Sequence, residues 1–332
     1  MSKHANISVF VPHLGCKGMC SFCNQVHITG TSDCPNKESV DRAVAEAKAS
    51  KNYNPKNTEL AFFGGSFTAI NREYMLELLT AGYKYVKSGD VCGIRISTRP
   101  DAVNSEMLDI LKQHGVTAIE LGAQSMDDEV LLHNRRGHTA EDVVKASALI
   151  KEAGFSLGLQ MMTGLYTDTD EKAIKTAEKI IQIHPDTVRI YPTVVLEHTR
   201  LSALYRSGEY SPETLDSAVS LCGKLLGMFR KADIKVIRLG LHSIDEESFV
   251  AGPWHPAFGE LCESAEYLIL ILTELEKKPK GKYKVYVNKS EISKAVGQHR
   301  KNVQTLSEKG YICRILGRDD IEKYKVSVSL ET

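Results

Sequence analysis

The sequence predicts an α/β protein, a partial (β/α)6 TIM-like barrel followed by a small α+β C-terminal module. Three observations carry this. Short apolar runs alternate with longer helical stretches through the first two thirds of the 332 residues, the pattern changes after Tyr191, and a basic stretch containing Pro and Gly, KKPKGKYK, precedes a final segment of independent character. Candidate strands lie at 7–11, 60–63, 93–96, 118–121, 157–161 and 188–191, short and continuous as strands covered on both faces by helices should be. Between them, 38–50, 72–87, 106–114, 140–153 and 171–183 read as helices. Asn71, Ser105 and Thr139 stand where N-caps belong, and Gly154 stands at a helix end. About six such units fall short of the eight that close a barrel, so the sheet should be open. After Tyr191 a helical region runs to about residue 275. The expected division is a core domain over 1–235, a helical extension over 236–278 and a module over 279–332.

Composition narrows the function. Hydrophobic residues make up 42% and charged residues 25%, an ordinary globular balance. Lys plus Arg equals Asp plus Glu at 42 each, so nucleic-acid binding would need a local basic patch. The best apolar stretch, 267–272, is far too short to cross a membrane, which argues against a membrane partner. The opening MSKHANISVFVPH lacks the pattern of a secretory signal, and a cytoplasmic location is expected. Of eight cysteines, Cys16, Cys20 and Cys23 crowd into one loop. Cys34, Cys92, Cys222, Cys262 and Cys313 are scattered and read as buried or incidental thiols.

The loop PHLGCKGMCSFCNQ directly follows the first strand, at the end where parallel sheets carry their functional loops. Its C-x3-C-x2-C spacing suits thiolates wrapping a 4Fe–4S cubane, with three ligands for four irons and one iron left open. The competing reading is a zinc site completed by His13, His27 or Cys34, although no second Cys-x2-Cys pair exists to make a ribbon.

This loop resembles the signature of the radical S-adenosylmethionine superfamily, with Phe22 at the aromatic position before the third cysteine. The resemblance implies a cluster on Cys16, Cys20 and Cys23, S-adenosylmethionine on the open iron, Phe22 against the adenine, and reductive cleavage to a 5′-deoxyadenosyl radical. It also implies an electron donor such as flavodoxin or ferredoxin. The run AFFGGSFTAI resembles the family's Gly-Gly motif, so Gly64, Gly65 and Ser66 are expected at the methionine end of the cofactor. ISTRPDAVN, ELGAQSMDDEVLLHNRRGHT, GLQMMTGLYTDT and VRIYPTVVLEHTRL resemble the subgroup containing the Elongator catalytic subunit and the oxygen-independent coproporphyrinogen oxidases. By that resemblance Ser97, Gln124, Gln160 and Tyr191 contact the cofactor, and Arg136 of the R-x-H element grips its carboxylate. Two features depart from the Elongator pattern: the x3 spacing is compact, and too little chain remains for an acetyltransferase domain, so acetyl transfer is not carried over.

The last segment reads strand, helix (290–296), turn, helix (302–309), strand and resembles a KH module, whose G-x-x-G turn clamps single-stranded nucleic acid. Gly297, His299, Arg300 and Lys301 are the expected nucleic-acid contacts, with Arg300 standing where the second glycine would be. The combined expectation is a radical enzyme that modifies tRNA or other RNA. The alternatives are a coproporphyrinogen oxidase-like enzyme for a small molecule and an RNA-binding protein with a structural metal.

Overall fold

The computed structural model describes residues 4–11, 20–23, 34–241, 244 and 247–331. A parallel sheet takes its strands in chain order: β1 (Ala5–Val11), β2 (Thr58–Gly64), β3 (Ile94–Thr98), β4 (Val116–Gln124), β5 (Ser156–Thr163), β6 (Thr187–Pro192) and then Lys235–Leu239. Helices α1 (Lys37–Lys48), α2 (Arg72–Lys87), α3 (Ser105–Gln113), α4 (Asp128–His133), α5 (Ala140–Glu152) and α6 (Asp170–Ile183) connect these strands and cover the convex face. β1 and the Lys235–Leu239 strand are not paired with each other, so the barrel stays open.

The helix boundaries follow from local chemistry. The side chains of Asn71 and Thr139 accept backbone N–H bonds from Tyr74 and Asp142, and α5 stops at Gly154, which sits at φ +82°. At α3 the cap is Asn104 and not Ser105: the Asn104 side chain accepts from Met107 N–H, and Ser105 is already inside the helix.

The sheet has seven strands where the sequence pattern suggests six. After the short β7 (Val195–Leu196), α7 (Arg200–Ser207) and α8 (Leu215–Lys231), the chain forms β8 (Lys235–Leu239), parallel to β6. The expected boundary at 235/236 therefore falls inside a strand. As an edge strand bearing Lys235 and Arg238 and only half-buried, KVIRL lacks the continuous apolar run of a central strand.

Beyond β9 (Phe249–Ala251), α9 (Phe258–Leu275) joins two cores. Phe258 and Cys262 near its start belong to the barrel cluster, whereas Tyr267, Ile271 and Leu275 pack against Tyr283, Val285, Val287, Ala295, Leu306 and Tyr311. Those last residues come from β10 (Gly281–Asn288), α10 (Ile292–Val296), α11 (Lys301–Glu308) and β11 (Tyr311–Arg318), which with β12 (Ser327–Leu330) form a separate sheet of order β11-β10-β12. The C-terminal segment thus borrows half of α9 to close its core. No helix of the described residues is long and apolar enough to cross a membrane.

Candidate active site

In a parallel sheet, alternate side chains point to opposite faces. On β4, Ile119, Leu121 and Ala123 enter the helix-covered core, which leaves Glu120 and Gly122 on the concave side. The same alternation sends Ile94 and Ile96 outward and Arg95 and Ser97 inward. It likewise sends Leu159 and Met161 outward and Gln160 inward, and Val188 and Ile190 outward with Arg189 and Tyr191 inward. The expected contacts Ser97, Gln160 and Tyr191 therefore share one concave surface on three strands.

At the waist of this surface the charged groups pair with one another. Glu120, 1% exposed, pairs with Arg95 at 3.2 Å and with Arg189 Nε at 2.6 Å, and Arg95 pairs onward with Glu59 at 2.7 Å. Gln160 donates to Glu120 Oε2 at 3.1 Å, so its amide faces the waist network. Arg189 lies over the Phe63 ring at 5.2 Å, and burial raises the Tyr191 phenol above its usual range, opposed by the Arg189 charge.

At the mouth the opposite holds. Cys20 and Cys23 are half-buried and joined by a tight turn in which Cys23 N–H donates to the Cys20 carbonyl at 3.2 Å. Cys16 lies outside the described residues, as do His13 and His27, and Cys34 is exposed. Gly64 ends β2 at φ +114°, where a Cβ would stand 2.6 Å from the Val11 carbonyl, and Gly65 N–H donates to that same carbonyl at 2.8 Å. Only glycine fits there. Ser66 is buried immediately after it. Gln124 ends β4 in a left-handed conformation, φ 65°, after a register shift, with its Oε1 buried and unpartnered.

The R-x-H element sits between these parts. Arg136 Nη1 donates to Cys20 Sγ at 3.0 Å and Nη2 to the Gly122 carbonyl at 2.6 Å, while Nε is buried without a partner. Gly122 makes this approach possible, since a Cβ there would lie 3.3 Å from Arg136 Nη2 and 3.1 Å from Gln124 Nε2. His138 faces the Ala123 carbonyl through Nε2, and its Nδ1 is also unpartnered. Burial first, and the Arg136 charge second, pushes His138 down to about 4, so it is neutral at physiological pH. Phe22 packs against Met162, Leu165 and Tyr191, with the Arg136 guanidinium 5.9 Å from its ring.

Sequence reasoning did not single out Ser21 and Asn134, both fully buried, which bond each other beside the cysteines. It also passed over Glu120 and Arg189. Their signal is a charged or amide residue inside six of the seven strands (Glu59, Arg95, Glu120, Gln160, Arg189, Arg238) in largely apolar runs. A further cleft of about 680 Å³ on the rim, lined by Asp168, Glu213 and Tyr210, keeps Asp168 and Glu213 at about 7 through burial.

The basic turn of the C-terminal segment does not stand alone. Gly297 is buried against Ser264 of α9, Asn302 donates to the Ser264 carbonyl at 2.8 Å, and Lys301 pairs with Asp216 at 2.6 Å. His299 and Arg300 are exposed and both hold positive φ, 50° and 62°.

The orphaned buried atoms of Gln124, Arg136 and His138, with Arg136 also bonded to the Cys20 thiol, fit a polar ligand beside an iron–sulfur cluster. The radical SAM superfamily model matches residues 10–180, and the chain belongs to that superfamily of enzymes. A radical SAM C-terminal domain model matches residues 185–268. Among curated relatives, the chain is 34% identical over 183 residues to the tRNA uridine(34) acetyltransferase of Methanocaldococcus jannaschii, covering 49% of this chain and 34% of that protein. It is 27% identical over 239 residues to the tRNA uridine(34) acetyltransferase of Dehalococcoides mccartyi, covering 62% and 52%. The chain thus spans about a third to a half of these relatives' length. Its fold matches that of the archaeal Methanocaldococcus infernus Elp3 with a TM-score of 0.66 at 22% identity, over 85% of this chain and 66% of that one. The KH likeness of the C-terminal segment is not confirmed by these comparisons.

Proposed function

We propose that this enzyme modifies RNA, with tRNA as the substrate class, and that the turn around His299 and Arg300 contacts the RNA while the barrel mouth performs the radical chemistry. The observation that carries this reading is the position of the basic turn. Lys301 is anchored to Asp216 at the N-terminus of α8. α8 feeds β8 from its far end, so Asp216 stands level with the C-terminal ends of the strands, where the cysteines and Arg136 are. A strand of RNA resting on Arg300 is therefore on the same side of the barrel as the mouth. The names of the relatives, tRNA-modifying enzymes, agree with this reading.

Within the mouth, Cys16, Cys20 and Cys23 would hold the cluster, leaving one iron for S-adenosylmethionine. Bound there, the pair supplies reductive cleavage of the sulfonium to a 5′-deoxyadenosyl radical. The chain's own residues bind and shield. Gly64, Gly65 and Ser66 admit the methionine end to bare backbone. Arg136 and Gln124 present the unpartnered Nε and Oε1, and Ser97 lies deeper on the same face. Phe22, Met162 and Tyr191 give an apolar wall that excludes water from the adenine end, and Gln160 reaches the cofactor only through the Glu120 network.

If the turn grips phosphates, tRNA affinity falls as salt rises, because each neutralised phosphate releases counterions. Replacing His299 and Arg300 with Ala should weaken tRNA binding and flatten the salt slope by about one unit per lost phosphate contact, without changing uncoupled S-adenosylmethionine cleavage. The check is an anisotropy titration of tRNA at several salt concentrations. No binding of tRNA at low salt by the wild-type protein would discard the RNA reading in favour of a small-molecule substrate.

A further inference from the structure

Asn134 occupies the first position of the NRRGH run, two residues before Arg136, and the resemblance gives it no task. The structure does. Asn134 caps α4, its N–H donating to the Val130 carbonyl at 3.1 Å. Both hydrogens of its carboxamide are used: Nδ2 donates to the Val130 carbonyl at 2.8 Å and to the Tyr166 carbonyl, in the loop after β5, at 2.9 Å. Its two oxygens go to one residue. Oδ1 accepts from Ser21 Oγ at 2.5 Å, and the main-chain carbonyl accepts from Ser21 N–H at 3.2 Å. Ser21 is held from its other side as well, since its carbonyl accepts from Leu201 N–H at 2.7 Å, at the start of α7.

We infer that Asn134 is a positioning residue for the iron–sulfur cluster, a clamp that fixes the Cys20–Cys23 turn through Ser21. Ser21 lies between the two thiols, and a residue bonded on its N–H, its hydroxyl and its carbonyl has no freedom to turn. Arg136, on the same short segment, bonds Cys20 Sγ directly, so one piece of chain sets both the backbone and a sulfur of the cluster turn. Such outer partners of metal ligands govern how tightly the metal is kept. The pinning also spares the cluster the entropy of ordering this half of its loop. The inference rests on the reading of Cys16, Cys20 and Cys23 as ligands.

The test follows iron loss to a chelator from anaerobically reconstituted full-length protein, by the decay of its visible absorbance, beside the thermal stability of each apo form. Asn134→Asp keeps the shape and replaces both donated bonds with repulsion toward the Val130 and Tyr166 carbonyls. It should lose iron about tenfold faster or more, the lower end of what an outer-shell partner is worth. Ser21→Ala removes only the hydroxyl bond and should give a smaller acceleration in the same direction. The double variant should match Asn134→Asp, because repulsion from the Val130 and Tyr166 carbonyls pulls the carboxylate away from the Ser21 hydroxyl and the second change then removes a contact already lost. Iron loss at the wild-type rate in Ser21→Ala and Asn134→Asp, or effects that simply add, would overturn the clamp, even if apo stability fell. If Asn134→Asp does not fold, Ser21→Ala alone decides. Full iron loading by a Cys20→Ala variant would overturn the ligand assignment beneath the inference and is read separately.

Discussion

The waist and the mouth of the barrel lie a few residues apart on the same strands and differ in one respect. At the waist, Glu59, Arg95, Glu120, Arg189 and Gln160 pair with one another across β2 to β6. At the mouth, Gln124 Oε1, Arg136 Nε and His138 Nδ1 are buried and have no partner. Buried polar atoms are costly to leave unmade, so a protein keeps a set of them only where something else completes them. The waist is tied together by ion pairs within the folded chain, although Arg189 Nε, 2.6 Å from Glu120, makes no hydrogen bond. On the function proposed above, the mouth is completed by what it binds.

This contrast sets different consequences for substitutions of similar chemistry. The largest expected effect is at the waist. Glu120→Ala strands Arg189 in the barrel interior and leaves Arg95 with Glu59 alone, and removing one partner of a buried ion pair costs about 3–5 kcal/mol. Denaturant unfolding of the apo protein should show a loss of that size. A loss below about 1 kcal/mol would mean that water enters the barrel and the waist is no different from a surface network.

At the mouth, Arg136→Ala should cost apo stability less than Glu120→Ala, because it removes the bonds to Cys20 Sγ and the Gly122 carbonyl and an already unsatisfied Nε but leaves no buried charge without its partner. It should also weaken S-adenosylmethionine binding by about 1.5–3 kcal/mol, the worth of a hydrogen bond to a charged group, in a calorimetric titration of the reconstituted protein. The reverse result, stability lost and binding kept, would move Arg136 into the waist class.

A third effect is the pH dependence carried by His138. Its folded value of about 4 lies below the ordinary 6.5. As pH falls from about 6.5 to about 4 the unfolded chain takes up a proton that the folded chain refuses, so the contribution to stability is full above this window and is lost within it. His138→Gln removes the titration. The wild-type advantage over that variant should therefore shrink on acidification, by unfolding measurements at successive pH values. An advantage independent of pH would show that His138 is not held neutral.

The resemblance named Gly64, Gly65, Ser97, Gln124, Gln160 and Tyr191 by residue type and order, and strand alternation carries Ser97, Gln160 and Tyr191 to one concave face, with the Gln160 amide turned to the waist. The waist was not legible in that way, since pairing across β4 and β6 joins Glu120 to Arg189, residues far apart in the chain. The clamp at Ser21 escaped for the same reason: a buried Ser and Asn declare themselves only once a distant carbonyl lies beside them. β8 was missed because an edge strand carries charges, and the division at 278/279 reads differently once α9 is seen to fill both cores.

The central claim is that Cys16, Cys20 and Cys23 carry a 4Fe–4S cluster whose fourth iron is open to S-adenosylmethionine. The most direct test is the EPR spectrum of the reduced, anaerobically reconstituted protein before and after S-adenosylmethionine is added, with iron, sulfide and zinc measured on the same sample. The expected result is four irons and four sulfides per chain, as the cluster type requires, an EPR signal that changes on addition of the cofactor, and none in a Cys16/Cys20/Cys23→Ala variant. Stoichiometric zinc without iron in anaerobically purified protein, or a cluster signal indifferent to S-adenosylmethionine, would contradict the account.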